Sequence, residues 1–122
     1  MSSLPEQLRN RTKQFALRIV RLFRALPRSA DAQVMGKQLL RSGTSVAANY
    51  RAVCRARSSA EFIAKMGIVI EEADETVFWI ELLVESGIVQ AESMQSLLQE
   101  ANELLAIFAA SAQTARRKQS AA

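Results

Sequence analysis

The chain contains no histidine, one cysteine, two prolines and four glycines in 122 residues. Without an imidazole there is no default general base, no commonest metal ligand and no Ser-His or Cys-His pair. A lone cysteine, Cys54, excludes an intramolecular disulfide and any cysteine-cluster metal site. It falls in an apolar helical run and reads as buried filler. Gly-x-Gly-x-x-Gly and Gly-x-x-x-x-Gly-Lys phosphate loops are both missing. No apolar run approaches the ~18 residues that a membrane span requires. The opening Met1-Ser2-Ser3-Leu4-Pro5-Glu6 lacks the apolar centre of a signal peptide. These absences point to a soluble cytoplasmic protein of bacterial type, with no membrane partner, no cofactor, no metal site and no catalytic residue set.

What is present is helical. Nearly half of the residues, 49%, are hydrophobic, enough for a genuine core, and breakers are too few to interrupt long helices. A first helix is expected from Leu4 to Leu26, with Leu8, Phe15, Ile19, Leu22 and Leu26 on one face. Pro27 interrupts it, and Ser29 can cap a second helix from about Ala30 to Arg55. The apolar face there is Met35, Leu39, Val46, Tyr50 and Val53, with Gly36 and Gly43 beside it allowing a close neighbour. Ser58 followed by Glu61 forms a capping-box pattern that opens a third helix, ending at Gly87. Its main stripe is Phe62, Met66, Val69, Ala73, Val77, Ile80 and Val84. A fourth helix is expected from Gln90 to Ala115 with Met94, Leu97, Leu98, Ala101, Leu105, Phe108 and Ala112 inward. Links this short favour antiparallel neighbours. The predicted fold is all-α, an up-down-up-down four-helix bundle over residues 1–115, with a frayed basic tail over 116–122.

Charge is divided along the chain. Residues 1–57 carry a balance of +10, residues 58–115 one of −9, and the tail adds +3. Lys37, Arg41, Arg51 and Arg55 lie within ~80° of one another on the second helix at 100° per residue, with Thr44 and Ala48 between them. Lys13, Arg21, Arg24 and Arg28 lie broadly opposite the core face of the first helix. Clustered Lys and Arg neutralise phosphates and release counterions, so these residues are candidate nucleic-acid contacts. Equally, the same bases could pair with the acidic helices, within one bundle or between subunits. The isoelectric point of about 9.8 favours nucleic acid. With only 6% aromatic residues, reading of stacked single-stranded bases is disfavoured.

The third helix has a second apolar face, Ile68, Trp79, Leu82 and Leu83, interleaved with Glu72 and Glu75. Apolar residues on two faces of one helix imply two buried interfaces, hence self-association or a protein partner. Leu17 and Val20 on the first helix are candidate facing contacts. Glu72 and Glu75 lack the histidine that di-metal bundles pair with glutamate, so ion pairing with Arg41 or Arg51 is the expectation. Asn49, mid-helix among small residues, should hydrogen-bond to a neighbouring helix, with Glu72 or Glu75 as acceptors.

The segment Arg41-Ser42-Gly43-Thr44-Ser45-Val46-Ala47-Ala48-Asn49-Tyr50-Arg51 resembles the signature of the four-helix-bundle proteins named for intervening sequences in large-subunit ribosomal RNA. The likeness continues through Arg55-Ala56-x-Ser58, Glu61-Phe62-Ile63, Glu71-Glu72-Ala73-Asp74-Glu75-Thr76, Trp79-Ile80-Glu81-Leu82-Leu83 and Gly87, and spans roughly residues 8–110. Ala52 departs from it, standing where many such proteins carry Glu. The resemblance implies a bundle that assembles into a ring-like homopentamer. It extends to the accessory variability protein of diversity-generating retroelements, a basic pentameric bundle that binds nucleic acid and a reverse transcriptase. The expected function is therefore a non-catalytic homo-oligomer that binds RNA or DNA backbone; the rival is a protein–protein scaffold whose charges serve assembly only.

Overall fold

Leu4 to Ala25 form α1, Ala30 to Val53 form α2, Ser59 to Glu85 form α3 and Ala91 to Ala121 form α4 in a computed structural model that describes residues 2–121. Two of the starts are capped by a serine side chain. Ser3 Oγ accepts the amide of Glu6 and Pro5 occupies the first turn of α1. Ser58 Oγ accepts the amide of Glu61 at 3.1 Å, while the Glu61 carboxylate turns to Lys65 at 2.7 Å instead of back to the cap. Ser29 stands at the N-cap of α2, but its side chain makes no capping hydrogen bond, contrary to expectation; Asp31 accepts the amide of Ala32 at 2.9 Å instead. α3 ends in a Schellman motif: the Gly87 amide bonds to Val84 O and the Ile88 amide to Leu83 O, with Gly87 at φ 81°.

No strand occurs among the described residues. α2 packs on α1 and α3, α3 also on α4, and α4 reaches back to α1. As α2 advances from Gly36 to Gly43, its α1 neighbours retreat from Leu26 to Ile19. A methyl group at Gly43 would sit 2.7 Å from Ile19 Cγ1, and one at Gly36 would sit 2.5 Å from Leu26 Cδ1. Both glycines therefore permit the close α1–α2 approach that the sequence implied. Arg11 to Glu100 and Arg18 to Ser96 reverse in the same sense between α1 and α4.

The core is continuous. Phe15, Ile19, Leu39, Val46, Met66, Val69, Ile80, Leu104 and Phe108 are almost fully buried within it. Tyr50 of α2 stacks on Phe108 of α4, centroids 5.6 Å apart, across the centre of the bundle. Three polar side chains, Thr12, Ser42 and Thr76, share this interior. Thr76 Oγ1 lies 2.7 Å from the carbonyl of Glu72 and 3.0 Å from Ser42 Oγ, whose own proton faces Leu39 O at 3.3 Å. No buried side-chain polar atom lacks a partner among the described residues.

The α3 stripe and the end of α4 differ from expectation. Leu83 belongs to the core, 0% exposed, and not to an outward face. The 3–4–3 progression Ala73, Thr76, Ile80, Leu83 faces inward, so Val77 and Val84 are only half-buried. Residues 116–121, expected to fray, continue α4 as exposed helix, because no Gly or Pro follows Ala91 to stop it.

Candidate nucleic-acid interface

The basic stripe of α2 lies on the solvent side and is splayed, with its members meeting different neighbours. Arg41 leans towards α3. Its guanidinium donates to Glu75 Oε1 and to Glu72 Oε2, the latter at 3.3 Å. The Trp79 indole donates to the same Glu75 oxygen at 3.3 Å. The hydrogen bond from Arg41, then that from Trp79, holds the Glu75 carboxyl below the usual carboxylate range. Glu75 in turn raises the Arg41 guanidinium. Arg41 is thus a tie between α2 and α3, as the structural alternative anticipated, and the only stripe member in an ion pair among the described residues.

Arg51 leans the other way. Of the two arginines offered to Glu72 and Glu75, Arg41 takes both; Arg51 has no acidic partner among the described residues and borders a groove between α1 and α2. Arg9 and Lys13 line the opposite wall, and Thr44, Ala47 and Ala48 form a floor of small side chains. The cavity volume is 500 Å³ and no Asp or Glu lines it. Arg9 was not singled out in the sequence, although its i,i+4 spacing to Lys13 places both on one α1 face. Lys37 and Arg55 are exposed on either side of this region. Arg21 and Arg24 are exposed on α1, and Arg28 stands in the α1–α2 link rather than on a helix face.

On the far side, Ile68 is 47% and Leu82 36% exposed on α3, joined by Phe78 at 51%, which the sequence reading missed despite its i,i+4 spacing to Leu82. Trp79 is half-buried at the edge of this face, its ring edge-on to Phe78 with centroids 5.0 Å apart. Leu17 is exposed and Val20 half-buried on α1, flanked by Lys13, Arg21 and Arg24. Asn49 corrects an expectation: its Nδ2 donates to Ser45 O, one turn back on its own helix at 2.9 Å, and reaches no carboxylate. Two further ties went unforeseen, Arg11 to Glu100 at 2.5 Å and Arg18 Nη2 to Ser96 Oγ at 2.9 Å, both joining α1 to α4. No group of three or more Cys, Asp or Glu side chains suited to a metal ion occurs among the described residues.

A family model described as 23S rRNA-intervening sequence protein matches residues 7–110. The chain belongs to this family. A crystal structure described as a protein of unknown function from the S23 ribosomal protein family of Bacteroides thetaiotaomicron superposes with a TM-score of 0.83. It is 35% identical, and the alignment covers 89% of this chain and 97% of that one. No curated protein matches. The family match contains the whole Arg41–Arg51 segment, so the Arg41 tie and the Ser42–Thr76 contact lie in the part this chain shares with the family. No helix among the described residues is long and apolar enough to cross a membrane.

Proposed function

We propose that this member of the 23S rRNA-intervening sequence protein family is a non-catalytic, cytoplasmic homo-oligomer that binds the phosphate backbone of RNA or DNA. The observation carrying the reading is the α1–α2 groove, where Arg9, Lys13 and Arg51 converge over a floor of small side chains with no acid among them. Unneutralised cations in a concave site attract phosphate and gain from counterion release. Lys37, Arg55, Arg21, Arg24 and Arg28 are further exposed cations of the same α1–α2 hairpin and its link, outside the groove itself. The small floor leaves room for a backbone, and such contacts read no sequence.

Assembly has its own support. The outward face of α3 is apolar and acidic; the outward face of α1 around Leu17 and Val20 is apolar and basic. Two unlike, complementary faces favour a head-to-tail contact, which closes into a ring when the rotation permits, and a pentamer is the ring we propose. The opposed registers of α1 against α2 and α4, with short links, support an up-down-up-down path. One observation favours the rival scaffold reading: Arg41 is engaged with Glu72 and Glu75 and is withdrawn from the list of phosphate contacts.

The test is a salt titration of binding to unrelated RNA and DNA duplexes. Affinity should be similar across sequences and fall with salt at a log–log slope of about −0.9 per neutralised phosphate on DNA. Lys13→Glu with Arg51→Glu should abolish most of the binding while oligomer mass and melting hold. Absence of wild-type binding at low salt overturns the proposal; loss of assembly in the double variant hands the charges to the scaffold reading.

A further inference from the structure

A second groove lies at the end of the bundle where the α2–α3 link turns. Its floor is apolar: Tyr50 and Val53 at the end of α2 with the half-buried Phe62 of α3 and Ile107 of α4. The cavity volume is 990 Å³. Arg9, shared with the α1–α2 groove, and Arg57 and Lys118, which are not, stand around it, exposed and without ion pairs among the described residues, and no Asp or Glu lines it. One wall is the stretch of α4 that runs past the last buried residue, Ala112, with small side chains at Ala110, Ser111 and Ala115.

We propose that this groove docks an acidic amphipathic helix of a partner protein. Phe62 and Ile107, half-buried above the buried Tyr50 and Val53, leave apolar surface that an apolar face would cover. The three cations require negative charge flanking that face. Shape selects a helix: the wall from Ile107 to Lys118 is about 16 Å long, and two turns of a 10 Å-wide helix fill roughly 850 Å³. The small residues on α4 allow the close approach of a fifth helix, in the helix-in-groove mode. Nucleic acid fits less well, because phosphate gains nothing from the apolar floor and Tyr50 is buried against Phe108. A free fatty acid would be left uncovered in a groove that is open along its length, whereas small-molecule sites enclose most of the ligand.

The test uses the full chain and a fluorescein-labelled helical peptide of about 18 residues, leucine at i, i+3, i+7 and i+10 and glutamate on the flanks. Fluorescence anisotropy should show saturable binding at one peptide per chain. The same peptide with lysine for glutamate should not bind. Arg57→Glu with Lys118→Glu should weaken binding about tenfold or more, whereas Lys13→Glu with Arg51→Glu in the phosphate groove should leave it within about twofold. In the unsubstituted chain, the peptide should slow maleimide labelling of Cys54, which lines the groove. No saturable binding, equal binding of the lysine peptide, or unchanged Cys54 labelling overturns the proposal. So does tighter capture of dodecanoate than of the peptide. A fall in oligomer mass in the Arg57 and Lys118 variant also overturns it, because a second copy would then cover the groove.

Discussion

Thr76 occupies a core position on α3 where an aliphatic side chain would ordinarily sit, and its one hydroxyl proton has Glu72 O at 2.7 Å as acceptor, with Ser42 Oγ 3.0 Å away as the alternative. Valine has the same shape without the hydroxyl. Thr76→Val leaves Ser42 its bond to Leu39 O, so no buried group is orphaned. The change should lower stability by only about 0.5–1.5 kcal/mol, the net worth of one hydrogen bond, read as a small fall in denaturation midpoint at unchanged slope. Glu75 is a different case. Its folded carboxyl is held low by Arg41 and by Trp79, so its contribution is present above the ordinary carboxylate range and is lost as pH falls through the lowered folded value. Acidification below about pH 5 should therefore reduce stability, and Glu75→Gln should flatten that part of the curve while lowering the plateau at neutral pH. Trp79, the only tryptophan, touches Glu75 and reports the transition by its fluorescence. A Glu75→Gln chain as acid-sensitive as the wild type would remove Glu75 from this role.

At the scale of elements, two glycines make opposite predictions. Gly87 closes the Schellman motif at φ 81°, a backbone region costly for any residue with a Cβ. Gly87→Ala should cost about 1–2 kcal/mol. Gly67 lies inside α3 with nothing within 4 Å of where a methyl would stand. Gly67→Ala should raise stability by up to about 1 kcal/mol through helix propensity alone. Thermal melting of both variants checks the pair; the same sign of shift in both would refute the local account. Four helices, the Ser58 cap and the Gly87 stop were legible in the sequence because periodicity and capping residues are local signals; Ser29 looks like a cap, but its side chain makes no capping bond. The α3 stripe was misread at Val77, Leu83 and Val84 because Thr76 looks polar, and only Ser42 and the Glu72 carbonyl make its burial tolerable. Asn49 was misassigned because a side-chain amide can satisfy itself on its own helix, one turn back. In the candidate site, the clustering of bases was visible, but the α1–α2 pairing that brings Arg9 and Lys13 to Arg51 was not, and neither was the lean of Arg41 towards α3.

At the scale of the molecule, the outward α3 face carries exposed apolar side chains in the single bundle. Phe78 and Leu82, one turn apart, expose large apolar side chains, and Ile68 stands about three turns before Phe78 beyond Glu72 and Glu75. If they bury against the Leu17 and Val20 face of the next copy, Phe78→Glu with Leu82→Glu should reduce the assembly from several times 13.5 kDa to one chain mass. Both positions are exposed in the single bundle, so helicity should persist. Light scattering coupled to size exclusion measures the mass. A wild-type chain that is already monomeric at micromolar concentration would dismiss the ring.

The division of charge at the α2–α3 link has a consequence for how this polypeptide can be taken apart. The α1–α2 hairpin is a polycation and the α3–α4 hairpin, apart from its basic end, a polyanion. The broad α2–α3 seam between them is tied by Arg41, Glu72 and Glu75 and by the Ser42–Thr76 contact. The net charge of each hairpin also disfavours pairing with its own copies at low salt. A chain nicked between Arg55 and Ser58 would thus yield two fragments that avoid themselves and seek each other: a split protein whose reunion is steered by ionic strength.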